Sequence, residues 1–133
     1  RKNNFLRPGE IIIEACVKHF GPDDNIASII KTYIKKRQNT QPLDKNTCGC
    51  TFKNKTIINK NDKLKTTCRA GEYIDILGLK GFRHKNLKIS LVHGNFIENE
   101  GGATYSDFIE LIEIINEKVK NKFGFYFETE VNL

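Results

Sequence analysis

The sequence predicts an α+β fold, a small mixed or antiparallel sheet packed against helices. Segments with strand character and segments with helical periodicity follow one another without the regular strand–helix alternation of a doubly wound sheet. A capping box and an apolar face predict one long helix near the C-terminus. The length of 133 residues suits one compact domain, accompanied at most by part of a neighbouring one.

The clearest helix is predicted at residues 105–123. Thr104 and Asp107 have the spacing of a capping box at its start, and Gly124 is a natural C-cap. Acidic side chains come first and lysines last, as the helix dipole favours. The apolar side chains recur every three or four residues and form one face: Phe108, Leu111, Ile112, Ile115 and Val119.

Two more helices are expected. Isoleucines and a tyrosine at helical spacing predict an amphipathic helix over residues 25–37. The Gly-Pro-Asp-Asp segment at residues 21–24 is expected to form the turn before it. Apolar residues also predict a short helix over residues 73–77 that ends at Gly78. Both helices would pack an apolar face onto the sheet.

Segments rich in β-branched and aromatic residues predict the strands. Residues 55–67 are mostly Lys, Asn and Thr, which predicts a solvated insertion. The predicted strands cover residues 10–19, 87–92, 95–97 and 125–131, and residues 50–52 are expected to form a short strand or a tight turn.

The net charge of +6 is concentrated in the first half of the chain. Residues 1–65 carry 14 Lys and Arg against 6 Asp and Glu, whereas residues 66–133 carry 8 against 10. A basic half indicates an anionic partner: nucleic acid, a membrane surface or a phosphorylated small molecule. No aromatic platform interleaves with the lysines, and no apolar run is long enough to span a bilayer. We therefore expect neither a nucleic-acid nor a membrane partner.

The four cysteines predict a reducing compartment, because no secretory signal is present in the sequence. The one-residue spacing of Cys48 and Cys50 does not match zinc sites, so no metal is expected. Since the chain opens with Arg1 and contains no Met, we expect it to be part of a longer cytoplasmic protein.

Five segments, in order, resemble the signatures of the UDP-N-acetylenolpyruvoylglucosamine reductase family. They are similar to its Q-P-L, G-S-x-F-K-N-P, A-G-x-L-I-x-x-A-G-L-K-G, S-x-x-H-x-N-F-I and E-x-E-V motifs. The matching segments are residues 41–43 (Q-P-L), 48–54 (C-G-C-T-F-K-N), 70–82 (A-G-E-Y-I-D-I-L-G-L-K-G-F), 90–97 (S-L-V-H-G-N-F-I) and 128–131 (E-T-E-V).

The resemblance implies a domain organisation. Residues 21–133 would form the substrate-binding, C-terminal domain of the family. Residues 1–20 would be the tail of its FAD-binding domain and contribute a remnant strand, because residues 1–4 (R-K-N-N) resemble the family's Y-R-x-S/N motif without its Tyr.

The resemblance also implies the activity. The whole protein would reduce UDP-N-acetylglucosamine enolpyruvate to UDP-N-acetylmuramate with NADPH, through FAD, in peptidoglycan precursor synthesis. FAD would be held mainly outside this chain, which alone would be inactive and monomeric. The alternatives are a non-catalytic UDP-sugar-binding domain and an inactive fragment.

The resemblance assigns three catalytic residues. Cys50 stands where the family has its proton-donating Ser; a thiol can still donate a proton at neutral pH, although it is larger and a poorer hydrogen-bond donor. The alternative is a small buried Cys that replaced Ser after activity was lost. Glu130 matches the catalytic Glu of the last strand, with Glu128 as an alternative on the same face. Arg1 would be the cation near the substrate carboxylate.

Asn54 and Lys53 would bind the nucleotide-sugar, although Lys53 is equally consistent with an ordinary exposed lysine. His93 and Asn95 are expected to be satisfied structural residues. The sequence departs from the family pattern at three places: Lys55 replaces a Pro, residues 85–86 (K-N) replace Gly-Gly, and residues 91–92 (L-V) replace Glu-Lys. The loss of glycines predicts a differently shaped loop at residues 85–86.

Overall fold

The computed structural model describes residues 7, 9–19, 21–58 and 64–132. These ranges contain three helices and six strands, which confirms the predicted α+β class. The helices are α1 (Ile26–Thr40), α2 (Ala70–Ile76) and α3 (Tyr105–Phe123). The strands are β1 (Thr47–Cys50), β2 (Lys55–Ile58), β3 (Lys65–Cys68), β4 (Arg83–His84), β5 (Leu87–Ile89) and β6 (Phe96–Asn99).

The main sheet is antiparallel and has the strand order β1-β6-β5-β4, while β2 and β3 pair with each other in a separate ribbon. One face of the main sheet packs on α3, and α2 also contacts that helix. Apolar side chains from the sheet, both helices and the C-terminal segment form one buried cluster. Its largest members include Phe52, Ile74, Ile89, Leu111 and Phe127.

Helix α3 has the predicted bounds because its signals are local. The Thr104 Oγ1 accepts a hydrogen bond from the Asp107 amide at 3.2 Å, and the Thr104 amide donates to Asp107 Oδ2 at 2.8 Å. Gly124 ends the helix with φ of +79°, a left-handed conformation that favours glycine. The predicted apolar face is buried from Leu111 to Val119.

Helix α1 also forms, but its expected packing is absent from the part of the chain that the structure describes. None of its described residues is buried, and Ile30 and Ile34 are each 50% exposed. Helical periodicity predicts an apolar face, but it does not say which surface covers that face.

The prediction of a strand at residues 10–19 is wrong for the described structure. This segment is assigned to no strand and its residues are exposed, with Ile13 at 91%. An extended segment becomes a strand only when a neighbouring strand takes its backbone hydrogen bonds, and no described strand lies beside it. Its membership of a flavin-binding domain remains a prediction.

The insertion predicted at residues 55–67 is solvated, as expected, at nearly all of its described residues, but it also contains regular structure that was not predicted. Its two ends form β2 and β3, which pair in register from Lys55 opposite Cys68 to Ile58 opposite Lys65. β-branched Thr and Ile residues favour strands despite the polar composition around them. The predicted final strand at residues 125–131 is reduced to one isolated bridge, between Phe52 and Thr129.

The loop at residues 85–86 joins β4 and β5 and is tied to the start of α3. Lys85 adopts a φ of +51°, where the family pattern would place a glycine. Its Nζ lies 2.6 Å from Asp107 Oδ1 and 2.8 Å from Glu110 Oε2, and His84 Nε2 lies 2.8 Å from the same Glu110 oxygen. The hydrogen bond from Lys85, followed by those at Thr104, lowers the pKa of Asp107 to about 2.

This ion cluster predicts an acid-dependent loss of stability. Because the pKa of Asp107 falls from 3.8 to about 2 on folding, its contribution is complete above pH 3.8 and is lost as the pH falls through about 2. In urea unfolding at pH 6 and pH 2.5, Asp107→Asn should lose less stability on acidification than the wild type. Glu113→Gln, which changes an exposed carboxylate of α3, should retain the wild-type pH dependence. Equal slopes for Asp107→Asn and the wild type would contradict the assignment.

Candidate active site

A β-bulge shapes the segment that carries Cys50. Thr47 pairs with Glu98 and Cys50 pairs with Phe96, so β1 contains one residue more than β6 between the two pairs. Gly49 has φ of +88°, the left-handed conformation often found at such bulges. The extra residue shifts the alternation of side chains between the two faces of the sheet.

The shift places the two neighbouring thiols in different pockets. Cys50 lines a pocket of about 320 Å³ beside α2, whereas Cys48 lines a more apolar cleft of about 560 Å³ with Ile97 and Phe108. Both cysteines are free and exposed. Cys48 is therefore a natural internal comparison for the chemistry of Cys50.

The C-terminal segment runs antiparallel beside residues 51–53. The Lys53 amide donates to the Glu128 carbonyl at 2.8 Å, and the Glu130 amide donates to the Thr51 carbonyl at 2.8 Å. These bonds bring the backbone of Glu130 next to the segment that carries Cys50, although the two residues are far apart in sequence.

The same geometry distinguishes the two candidate carboxylates. Glu128 Oε2 lies 3.6 Å from Lys53 Nζ, and both residues line a separate pocket of about 260 Å³. The charge of Glu130, by contrast, is close enough to Cys50 to raise the pKa of its thiol. The arrangement favours Glu130 over Glu128 as the partner of Cys50.

Several influences act on the Cys50 thiol. Although the residue is exposed overall, desolvation at the pocket wall is the largest influence and raises its pKa, and the negative charge of Glu130 raises it further, with a smaller contribution from the neighbouring Cys48. A hydrogen bond with the Asn95 side chain acts in the opposite direction. The net effect is a raised pKa, so the thiol is protonated at neutral pH and can donate its proton.

The Cys50 pocket contains polar and charged groups from three segments. Asn54 lies at its edge, where Asn54 Oδ1 accepts a hydrogen bond from the Ala70 amide at the start of α2 at 3.1 Å. Asn54 also lines the smaller pocket that contains Lys53. The remaining charged or ionisable lining residues are Arg69, Glu72, Asp75, Lys80 and His93.

Sequence reasoning did not single out the charged pairs of this pocket. Lys80 Nζ lies 2.7 Å from Asp75 Oδ2, and Arg69 lies 2.9 Å from Glu72. Asp75 and Lys80 belong to the matched A-G motif, so their place in the motif was the available signal. Arg1 lies outside the described residues, and its predicted role remains a prediction.

No group of three or more His, Cys, Asp or Glu side chains suited to a metal ion occurs among the described residues. None of the described helices is both long and apolar enough to cross a membrane. Neither finding assigns a ligand to the Cys50 pocket, whose lining is polar and carries both signs of charge.

Comparison with known proteins first defines the class. The family model described as "UDP-N-acetylenolpyruvoylglucosamine reductase, C-terminal domain" matches residues 41–133, which include every pocket residue named above. The match begins after α1, so the assignment of residues 21–40 to the same domain remains a prediction.

Individual relatives agree with this class. A UDP-N-acetylenolpyruvoylglucosamine reductase from Thermotoga sp. (strain RQ2) is 34% identical over 135 residues, which cover 100% of this chain and 42% of that protein. The reductase of Thermotoga petrophila is 41% identical over 101 residues, covering 76% of this chain and 32% of that protein. The crystal structure of the Thermus caldophilus reductase has a TM-score of 0.58 and 33% identity, covering 83% of this chain and 35% of that structure.

The chain therefore belongs to the UDP-N-acetylenolpyruvoylglucosamine reductase family. It spans 42% of the length of the Thermotoga sp. relative and 32% of the T. petrophila relative. The activity of the whole protein is consequently a proposal for this chain.

A buried hydroxyl next to the site gives a stability prediction. Thr51 is fully buried, and its Oγ1 has no hydrogen-bond partner among the described residues. Replacing it with the similarly shaped Val should raise the free energy of unfolding by about 1 kcal/mol, because an unpaired buried hydroxyl is removed. Urea unfolding measures this change.

Thr51→Ser is the matched control, because it retains the hydroxyl and loses only a methyl group. It should lower the free energy of unfolding by about 1 kcal/mol. A Val variant less stable than the wild type would show that the Thr51 hydroxyl is satisfied.

Proposed function

We propose that this chain is the C-terminal part of a cytoplasmic UDP-N-acetylmuramate dehydrogenase. The whole enzyme reduces UDP-N-acetylglucosamine enolpyruvate to UDP-N-acetylmuramate with NADPH, through FAD, in peptidoglycan precursor synthesis. The observation that carries the proposal is that Cys50 lines the pocket beside α2 and is influenced by the charge of Glu130. The motif resemblance implies that this residue takes the position of the family's serine.

The described residues do not fit FAD. Its pyrophosphate would need a glycine-rich loop at a helix N-terminus or a comparable cradle of amides. The pocket beside α2 has a volume of about 320 Å³, and its lining includes four charged side chains and no apolar one larger than valine that could pack on a flavin ring. The proposal therefore places FAD mainly outside this chain and expects this chain alone to be inactive.

The contribution of this chain is the proton. Saturating the enolpyruvyl double bond adds one hydride and one proton, and the proton reaches the carbon next to the carboxylate. Cys50 donates it from Sγ, since its raised pKa keeps the thiol protonated at neutral pH. Glu130 lies beside it and stabilises or relays charge at the reacting centre.

The pocket supports binding of a nucleotide-sugar. Arg69 and Lys80 provide cations near the thiol, and the Asn54 amide offers hydrogen bonds to the polar groups of the sugar or diphosphate. Lys53 lies in the adjoining pocket, from which it would reach the same ligand. Arg1 would neutralise the substrate carboxylate. We propose that the protein acts as a monomer and without nucleic-acid or membrane partners.

The test is turnover of the whole enzyme that carries this chain. Cys50→Ala should lower kcat by about 10²- to 10⁴-fold, the usual contribution of a positioned acid, and Cys50→Ser should restore most of it. Cys48→Ala is the control and should retain wild-type kcat, because Cys48 lies in the other cleft. Full turnover by Cys50→Ala would exclude the thiol as donor.

The pH dependence provides a second readout. Wild-type kcat should fall at alkaline pH, because the thiol loses its proton above its raised pKa. The titratable and charged groups around it are all retained in Cys50→Ser: Glu130, Cys48, His93, Arg69, Glu72, Asp75 and Lys80. That variant should lack the alkaline decrease, since a hydroxyl does not titrate there. An unchanged profile would assign the decrease to another group.

A second candidate is a UDP-sugar-binding domain without catalysis, which the Cys50 pocket permits because its cations come from this chain alone. Calorimetric titration of the chain with UDP-N-acetylglucosamine separates the two. The binding module would be favoured by two results together. The chain would bind UDP-N-acetylglucosamine and lose affinity in Asn54→Ala, and the whole enzyme would keep full turnover in both Cys50→Ala and Glu130→Ala.

A further inference from the structure

The turn before β6 reaches across to the segment that follows Cys50. Asn95 is 4% exposed, and its side-chain amide makes two hydrogen bonds with the backbone of Phe52. The Phe52 amide donates to Asn95 Oδ1 at 2.9 Å, and Asn95 Nδ2 donates to the Phe52 carbonyl at 2.8 Å. The Thr51 amide donates to the Asn95 backbone carbonyl at 2.8 Å. One residue thus holds three backbone groups next to the thiol.

This amide replaces a missing strand partner. The last paired position of β1 is Cys50, which lies opposite Phe96 at the start of β6. Beyond that pair β6 offers no further residues, so the backbone of Phe52 would lack a partner on that side. The buried side chain of Asn95 supplies both a donor and an acceptor in the required geometry.

The turn itself is rigidly supported. His93 Nδ1 accepts a hydrogen bond from the Asn95 amide at 3.1 Å. Burial and then the charge of Lys80 lower the pKa of His93, which keeps the ring neutral and able to accept. A Cβ on Gly94 would lie 2.7 Å from the Gly71 carbonyl oxygen, so the turn packs directly on the start of α2.

The Asn95 amide has one more hydrogen to offer. Its NH₂ group carries two hydrogens, and one of them is donated to the Phe52 carbonyl. The second hydrogen is the one available to the Cys50 sulfur, and the Asn95 side chain acts to lower the pKa of that thiol, against the effect of desolvation. A thiol forms weaker hydrogen bonds than a hydroxyl. The position of the Cys50 sulfur therefore depends strongly on the backbone that carries the residue.

We propose that Asn95 is the positioning residue of the Cys50 thiol, holding the backbone beside it and directing an N–H group at its sulfur. This inference rests on the proposed role of Cys50 as proton donor. A positioning role differs from a purely structural one, because the Asn95 side chain must then alter the reactivity of the Cys50 thiol.

The chain contains a matched control. Asn116 Nδ2 donates to the Phe127 carbonyl at 3.1 Å, and the Phe127 amide donates to Asn116 Oδ1 at 3.0 Å. This is the same two-bond pairing with another backbone, on α3 and outside the Cys50 pocket. Substitution of Asn116 tests the loss of such a pairing without touching the thiol.

The experiment measures alkylation of Cys50 by iodoacetamide from pH 7 to pH 10 in the 133-residue chain. Tandem mass spectrometry separates Cys50 from Cys48. Asn95→Asp keeps the acceptor oxygen, removes the donor and adds negative charge. It should slow alkylation of Cys50 about tenfold, the effect of one pKa unit on the thiolate fraction, and leave Cys48 unchanged. Asn116→Asp should leave both rates at their wild-type values.

Equal Cys50 rates in the wild type and Asn95→Asp would overturn the inference. The assay uses no substrate and no flavin, so this failure is distinct from failure of the proposed reductase, which turnover of Cys50→Ala decides. Urea unfolding shows whether each variant is folded.

A measurement on the wild type decides the case in which Asn95→Asp does not fold. The side-chain amide protons of Asn95 should shift in NMR spectra as the Cys50 thiol titrates, and this shift should be absent in Cys50→Ala. Amide signals that do not move through the thiol titration would also overturn the inference.

Discussion

The site depends on backbone pairing around residues 51–53, a short segment held from both sides. On one side the C-terminal segment accepts and donates hydrogen bonds at Thr51 and Lys53; on the other, the side chain of Asn95 pairs with Phe52. Buried backbone groups must be paired, so this segment can take only a narrow set of positions. Cys50 precedes it directly and Glu130 is bonded to it, which is why two residues from opposite parts of the chain influence each other.

The parts of the fold that the sequence predicted well are those whose signals are local. The bounds of α3 follow from a capping box, an apolar face and a terminal glycine, all of which lie within or next to the helix. Strand prediction failed where a partner decides the outcome: residues 10–19 have strand-like composition without a described neighbour, and residues 55–67 have polar composition but include two paired strands. β-propensity mainly reflects how a side chain packs beside its neighbours, and neighbours cannot be read from one segment.

The candidate site shows the same division. Motif resemblance identified Cys50, Asn54 and Glu130 as candidates. In the structure the first two line one pocket, and the backbone amide of Glu130 donates a hydrogen bond to the segment at residues 51–53. Resemblance left Glu128 and Glu130 open, because both would lie on one face of a regular strand. Their surroundings differ in the structure, since the Glu128 carboxylate forms an ion pair with Lys53 in the adjoining pocket, whereas the charge of Glu130 acts on Cys50. The bulge at Gly49 was equally beyond sequence reasoning, because it is a property of two paired strands.

A cysteine at a position where the motif resemblance implies a serine changes which physical effects matter at the site. A hydroxyl is held by strong hydrogen bonds and remains protonated at any ordinary pH, so its placement can rest on its own bonds. A thiol forms weak hydrogen bonds and titrates within reach of neutral pH, so it needs support of two other kinds. Burial and the nearby carboxylate of Glu130 keep the proton on the sulfur. The rigid backbone between Asn95 and the C-terminal segment keeps the sulfur in place. Both kinds of support are present around Cys50, and the proposal that it donates the proton depends on them.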